Sequence, residues 1–137
     1  MQSLKVFAIV APICMLIDLL WLGVIMKGFY SHEIGELARR EGMSLSPRWG
    51  AAILVYLLIP GGIVLFVRPL LGPTATTWQA IAWGALFGLV VYGVYDLTNR
   101  AVLEKWPMRL TLADIAWGCV LCAATSAIMR LVDRWLA

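Results

Sequence analysis

Four apolar runs, separated by shorter stretches that carry most of the charge, leave this chain few ways to fold. A helix needs ~20 apolar residues to cross the hydrocarbon of a bilayer. The runs read as Val6–Met26, Trp49–Val67, Trp78–Leu103 and Thr111–Leu131. Composition excludes a soluble fold: hydrophobic residues make up 62% and charged residues 14%, with a mean hydropathy of +0.87. A water-soluble domain carries about a quarter charged residues. The expectation is an all-α, polytopic integral membrane protein. Residues 1–137 form a single transmembrane domain, a bundle of four helices with a short amphipathic helix in the first loop.

The first run is too long for the apolar core of a cleavable signal, and no Ala-x-Ala site follows it. A net charge of +3 comes without a basic cluster on one face, so no nucleic-acid partner is expected. The three cysteines are odd in number and lie within apolar runs, which predicts no disulfide. Cys119-x-x-Cys122 reads as packing, because thiols in apolar surroundings lose reactivity. His32 is the only histidine and reads as a solvated loop residue, so neither a metal site nor a haem is expected and no cofactor is assigned.

Local signals place the boundaries. In the first loop, Lys27–Arg48, Ser31 can cap a short helix ending at Gly42, with Ile34, Leu37 and Ala38 on one side. Ser46-Pro47 reads as the N-cap and first position of the second span. Pro60-Gly61-Gly62 predicts a kink or broken turn within that span. Trp49 and Trp106 mark one membrane interface, Trp78 and Trp135 the other. Lys27, Arg39, Arg40, Arg48, Arg100, Lys105 and Arg109 on the first and third loops outnumber Lys5, Arg68, Arg130 and Arg134 opposite, which places those loops in the cytoplasm and both termini outside. Ala80, Gly84 and Gly88, and likewise Gly118, Cys122 and Ser126, recur every four residues as small-residue packing faces, through which a homo-oligomer is expected.

Three acidic residues lie within the spans: Asp18, Asp96 and Asp114. An ionised carboxylate at a helix centre costs roughly 2.5–3.5 kcal/mol to insert. All three map to the end of the bundle beside the first and third loops, Asp18 about 12 Å and Asp96 about 10 Å from the loop ends of their helices at 1.5 Å per residue. Tyr92, Tyr95, Asp96 and Asn99 fall at i, i+3, i+4 and i+7 and share a helix face. Each acid also has a plain structural reading. Asp114 with Thr111 forms a Thr-x-x-Asp capping box. Asp18 hydrogen-bonds an indole such as Trp21 or a neighbouring helix. Arg100, four residues on, neutralises Asp96. Read functionally, the cluster carries a proton, acts as general acid or base, or orients the polar head of a lipid or amphiphile.

Asp18-Leu-Leu-Trp21-Leu-Gly23, Gly28-Phe-Tyr30, Tyr95-Asp96-Leu97-Thr98-Asn99, Trp106 and Asp114-Ile-Ala-Trp117-Gly118 together resemble the domain-of-unknown-function 2177 family over nearly the whole chain. The resemblance implies a small four-span bacterial membrane protein and tilts the reading slightly toward membrane-lipid modification. It assigns no catalytic residue.

The leading expectation is a multi-pass protein of the bacterial inner membrane. A lipid or small amphiphile binds at Asp18, Trp21, Tyr92, Tyr95, Asp96, Asn99, Asp114 and Trp117, serving lipid modification or envelope stress. A transporter or proton-linked carrier is the alternative, supported by Pro60-Gly61-Gly62. An accessory subunit of a membrane complex is a third reading. No complete catalytic set is visible, so enzymatic activity is left open.

Overall fold

The computed structural model describes residues 1–137. Helix α1 runs over Gln2–Leu20 and continues as a π-helical turn, Trp21–Ile25. Helix α2 spans Lys27–Ile34, α3 Trp49–Gly62 with a π-helical turn at Ile63–Val67, α4 Thr77–Val102 and α5 Met108–Trp135. Four helical segments are long and apolar enough to cross a membrane: Gln2–Ile25, Trp49–Leu70, Thr77–Val102 and Met108–Trp135. They run alternately up and down. Helix α5 packs against α1 and α4, while α3 packs on α1 and, through its π-turn, on α4 and α5.

The interior is an apolar column of Val6, Val10, Cys14, Ile59, Ile63, Val67, Leu121, Cys122 and Met129. Many large apolar side chains, such as Leu58, Phe66, Val90 and Val120, point outward, as they do when the solvent is lipid. The two small-residue faces meet each other inside the chain. A Cβ on Gly84 would meet the Cys122 carbonyl and the Ser126 side chain, and one on Gly88 the Gly118 backbone. The faces expected to drive self-association are thus spent holding α4 against α5.

Several local expectations are corrected. Ser31 does not cap a helix: α2 starts four residues earlier, and Ser31 lies within it, accepting at Oγ from Arg40 at 2.9 Å. The helix ends at Ile34 because Gly35 turns to φ +53°, and a 3₁₀ turn, Gly35–Leu37, follows. Beyond it the chain forms a small antiparallel hairpin, β1 (Arg40–Glu41) with β2 (Ser44–Leu45). Gly42, at φ +63°, turns the hairpin and does not end a helix. Arg48, not Ser46, occupies the N-cap position of α3.

Pro60-Gly61-Gly62 does not break α3. Pro60 offers no N–H to the preceding turn, yet the helix passes through and widens into its π-turn. At the other connection, Thr76 and Gln79 form the capping box that starts α4. Trp106 is not an interface residue: it is buried, and its indole N–H donates to Thr111 Oγ1 at 3.1 Å.

The end opposite the acidic residues is tied by arginines that sequence reading treated only as loop charge. Arg68 pairs with Asp133 at 2.7 Å and donates to Ser3 at 2.8 Å. Arg130, buried, donates to the carbonyls of Ala75 and Pro73, clamping the α3–α4 connector onto α5.

Candidate functional site

Up-and-down packing brings α1, α4 and α5 together, and each contributes one acidic residue near the same end of the bundle. Asp18 is buried, and its Oδ1 accepts from the Trp117 indole N–H at 2.7 Å. The Tyr56 hydroxyl of α3 also faces it. Trp117 stacks flat on Trp21, with centroids 4.2 Å apart and planes 4° from parallel. Trp21 then donates to the Tyr30 hydroxyl at 3.4 Å, and Tyr30 donates to Asp114 Oδ1 at 2.6 Å. A line of contacts therefore runs from Asp18 to Asp114, hydrogen-bonded at both ends and joined in the middle by the two stacked indoles.

Tyr30 was outside the expected site. It reaches Asp114 because α2 folds back under the bundle, where Tyr30, Trp106 and Leu110 form a second small core. Burial, with the Asp114 carboxylate beside it, pushes the Tyr30 phenol up from its ordinary value. The signal that could have found it was present: Gly28-Phe-Tyr30 is one of the stretches that carry the family resemblance.

Asp114 is not a capping residue. Pro107 holds the N-cap position of α5, which places Thr111 inside the helix and Asp114 in its second turn. Arg100 does not neutralise Asp96, because its guanidinium donates to the Trp106 carbonyl at 2.7 Å. Asp96 itself is 0% exposed, and neither of its carboxylate oxygens has a donor. Its neighbouring titratable group is Asp114. Two carboxyl groups in contact can bond each other only when one carries a proton. A buried polar group left unpaired costs about 1–3 kcal/mol. Asp96 is therefore met within the cluster only by a second acid, Asp114.

The remaining expected residues divide. Tyr92 is half-buried and lays its ring over Gly118, where any Cβ would collide with it. Asn99 is half-buried beside the Tyr95 hydroxyl. Tyr95 points outward, 57% exposed, with its ring edge-on to Trp106 at 6.0 Å. Consecutive helical residues are turned about 100° apart, so Asp96 faces inward and Tyr95 cannot. A hollow of about 330 Å³ flanks the indole stack, bordered by Trp21, Met26, Ala113, Ala116, Trp117 and Val120.

Together the four spans, their lipid-facing apolar exterior and their buried line of contacts define a multi-pass helical membrane protein. The family model described as "Predicted membrane protein (DUF2177)" matches residues 3–131, and the chain belongs to that family. No curated protein and no solved structure matches it.

Proposed function

We propose that this protein binds the polar end of a lipid or small amphiphile at the cluster of Asp18, Asp96 and Asp114, within a bacterial inner membrane. The observation that carries the reading is Asp96, fully buried with no donor on either oxygen. A headgroup bearing hydroxyl or amine hydrogens would supply the missing donors. The apolar hollow beside Trp21 and Trp117 gives a tail somewhere to lie. Trp117 and Tyr30 hold Asp18 and Asp114 in place, leaving Asp96 as the acceptor. A carrier of the broken-helix kind has lost its main support, because α3 is continuous through Pro60-Gly61-Gly62.

The test is the organic extract of protein withdrawn from its native membrane in polymer-bounded discs. An amphiphile enriched over the bulk membrane in wild type, and returned to the bulk level in Asp96→Asn and in the Asp18→Asn/Asp96→Asn double variant, is expected. If no enriched amphiphile falls in either variant, the acidic cluster is ruled out as the site.

A further inference from the structure

A second concave surface adjoins the acidic cluster at Tyr56, between the end of α1, the β1–β2 hairpin and the start of α3. It is a groove of about 610 Å³ whose wall is apolar, formed by side chains such as Leu19, Leu22, Leu45 and Ala52. Its rim carries two arginines, Arg39 and Arg48, and no acidic residue lines it.

The hairpin makes these two arginines neighbours. The Ser46 N–H donates to the Arg39 carbonyl at 2.9 Å, which holds the strand leaving the hairpin beside the one entering it. Both guanidinium groups are exposed, and neither has a hydrogen-bonding or ion-pair partner in the chain. Of the other basic residues of this end, Lys27 has no partner and lies outside the groove lining, and four are engaged. Arg40 donates to Ser31 and Arg100 to Trp106, Lys105 pairs with Glu36, and Arg109 lies 3.9 Å from Glu33. Glu33 and Glu36 are turned toward other cations, and neither Glu41 nor Glu104 pairs with Arg39 or Arg48. Trp49, 64% exposed at the groove's edge, is the side chain expected where headgroups meet hydrocarbon.

We propose that this groove binds a membrane lipid with an anionic phosphate headgroup, its phosphate on Arg39 and Arg48 and an acyl chain along Leu19, Leu22 and Ala52. Two unpaired cations above an apolar wall match a phosphate above a hydrocarbon chain, and the planar guanidinium suits phosphate oxygens. Free phosphate would leave the apolar wall unfilled. Tyr56 lines this groove and also faces Asp18, so the two sites adjoin, but the phosphate contacts are the two arginines, which select the opposite charge.

The test is lipid titration by native mass spectrometry on the detergent-solubilised full chain, with phosphatidylglycerol and phosphatidylcholine as probes. Wild type prefers phosphatidylglycerol. Arg39→Gln/Arg48→Gln weakens phosphatidylglycerol about thirtyfold, about fivefold for each arginine, and leaves phosphatidylcholine unchanged. Arg39→Lys/Arg48→Lys, which keeps the charge, retains the preference, as does Arg134→Gln at the far end of the bundle. Equal wild-type affinity for the two lipids overturns the proposal even if a variant fails to fold. So does unchanged phosphatidylglycerol binding in the double glutamine variant, or displacement of the lipid by millimolar inorganic phosphate. Asp96→Asn leaves this binding intact, which separates the groove from the acidic cluster.

Discussion

Asp18 and Asp96 are both buried carboxylates in an apolar bundle, yet one is answered and the other is not. Removing the donor to Asp18 by Trp117→Phe should cost about 1–3 kcal/mol, read as a lower denaturation midpoint in micelles. Asp96→Asn replaces the acid–acid contact with Asp114 by an amide donor, so its midpoint should match or exceed wild type. A large loss in Asp96→Asn would mean that a partner in the protein holds that carboxylate after all. Tyr30 supplies a pH test. Its phenol is raised in the folded state by burial and by Asp114, so its contribution is fully present below the unfolded value of about 10. It is lost as pH rises above that value. Stability should therefore fall above pH ~10 in wild type, with a shallower decline in Tyr30→Phe. At this level the sequence revealed which residues matter better than what they touch. The three acids were legible because carboxylates in lipid-length runs are costly, whereas the Tyr30–Asp114 bond joins residues 84 positions apart and leaves no local periodicity.

The four long helices were legible from length and hydropathy alone, and their ends fell within a few residues of expectation. The misreadings came where a local motif competed with tertiary packing. Thr111 looked like a cap, but α5 begins at Met108 and Thr111 serves the buried Trp106. The Ser31 cap failed because α2 already runs from Lys27, and Gly35 stops that helix well before Gly42. The small-residue stripes were read correctly as packing faces, and only the structure reveals that their partner is within the chain. Gly88→Ala should therefore force α4 from α5 and cost about 1–3 kcal/mol. Gly93→Ala on the same helix meets nothing within 4 Å and should be neutral or slightly stabilising. Thermal melts in micelles followed by tryptophan fluorescence would compare them, and equal effects would contradict the close approach at Gly88.

In the molecule as a whole, the two ends do different work. One is tied by Arg68–Asp133 and by Arg130 over the α3–α4 connector, while the other gathers three acids, the folded-back α2 and the hairpin. We propose, from the excess of Lys and Arg on the first and third loops, that the acidic end faces the cytoplasm. Cysteines placed at exposed Ser44 and Thr74 should then respond oppositely to an impermeant maleimide: Thr74→Cys labels in intact cells, and Ser44→Cys only after lysis. The reverse pattern would invert the protein. Convergence of the acids at one end followed from counting residues along four alternating helices. The lack of a basic partner for Asp96 did not, because sequence had offered it Arg100. The decisive measurement is native mass spectrometry of wild type and Asp96→Asn released side by side from mild detergent. A defined added mass on wild type that is absent from the variant is the predicted result. Retention by the variant of every added mass seen on wild type, or bare chains in both, would contradict a ligand held by Asp96.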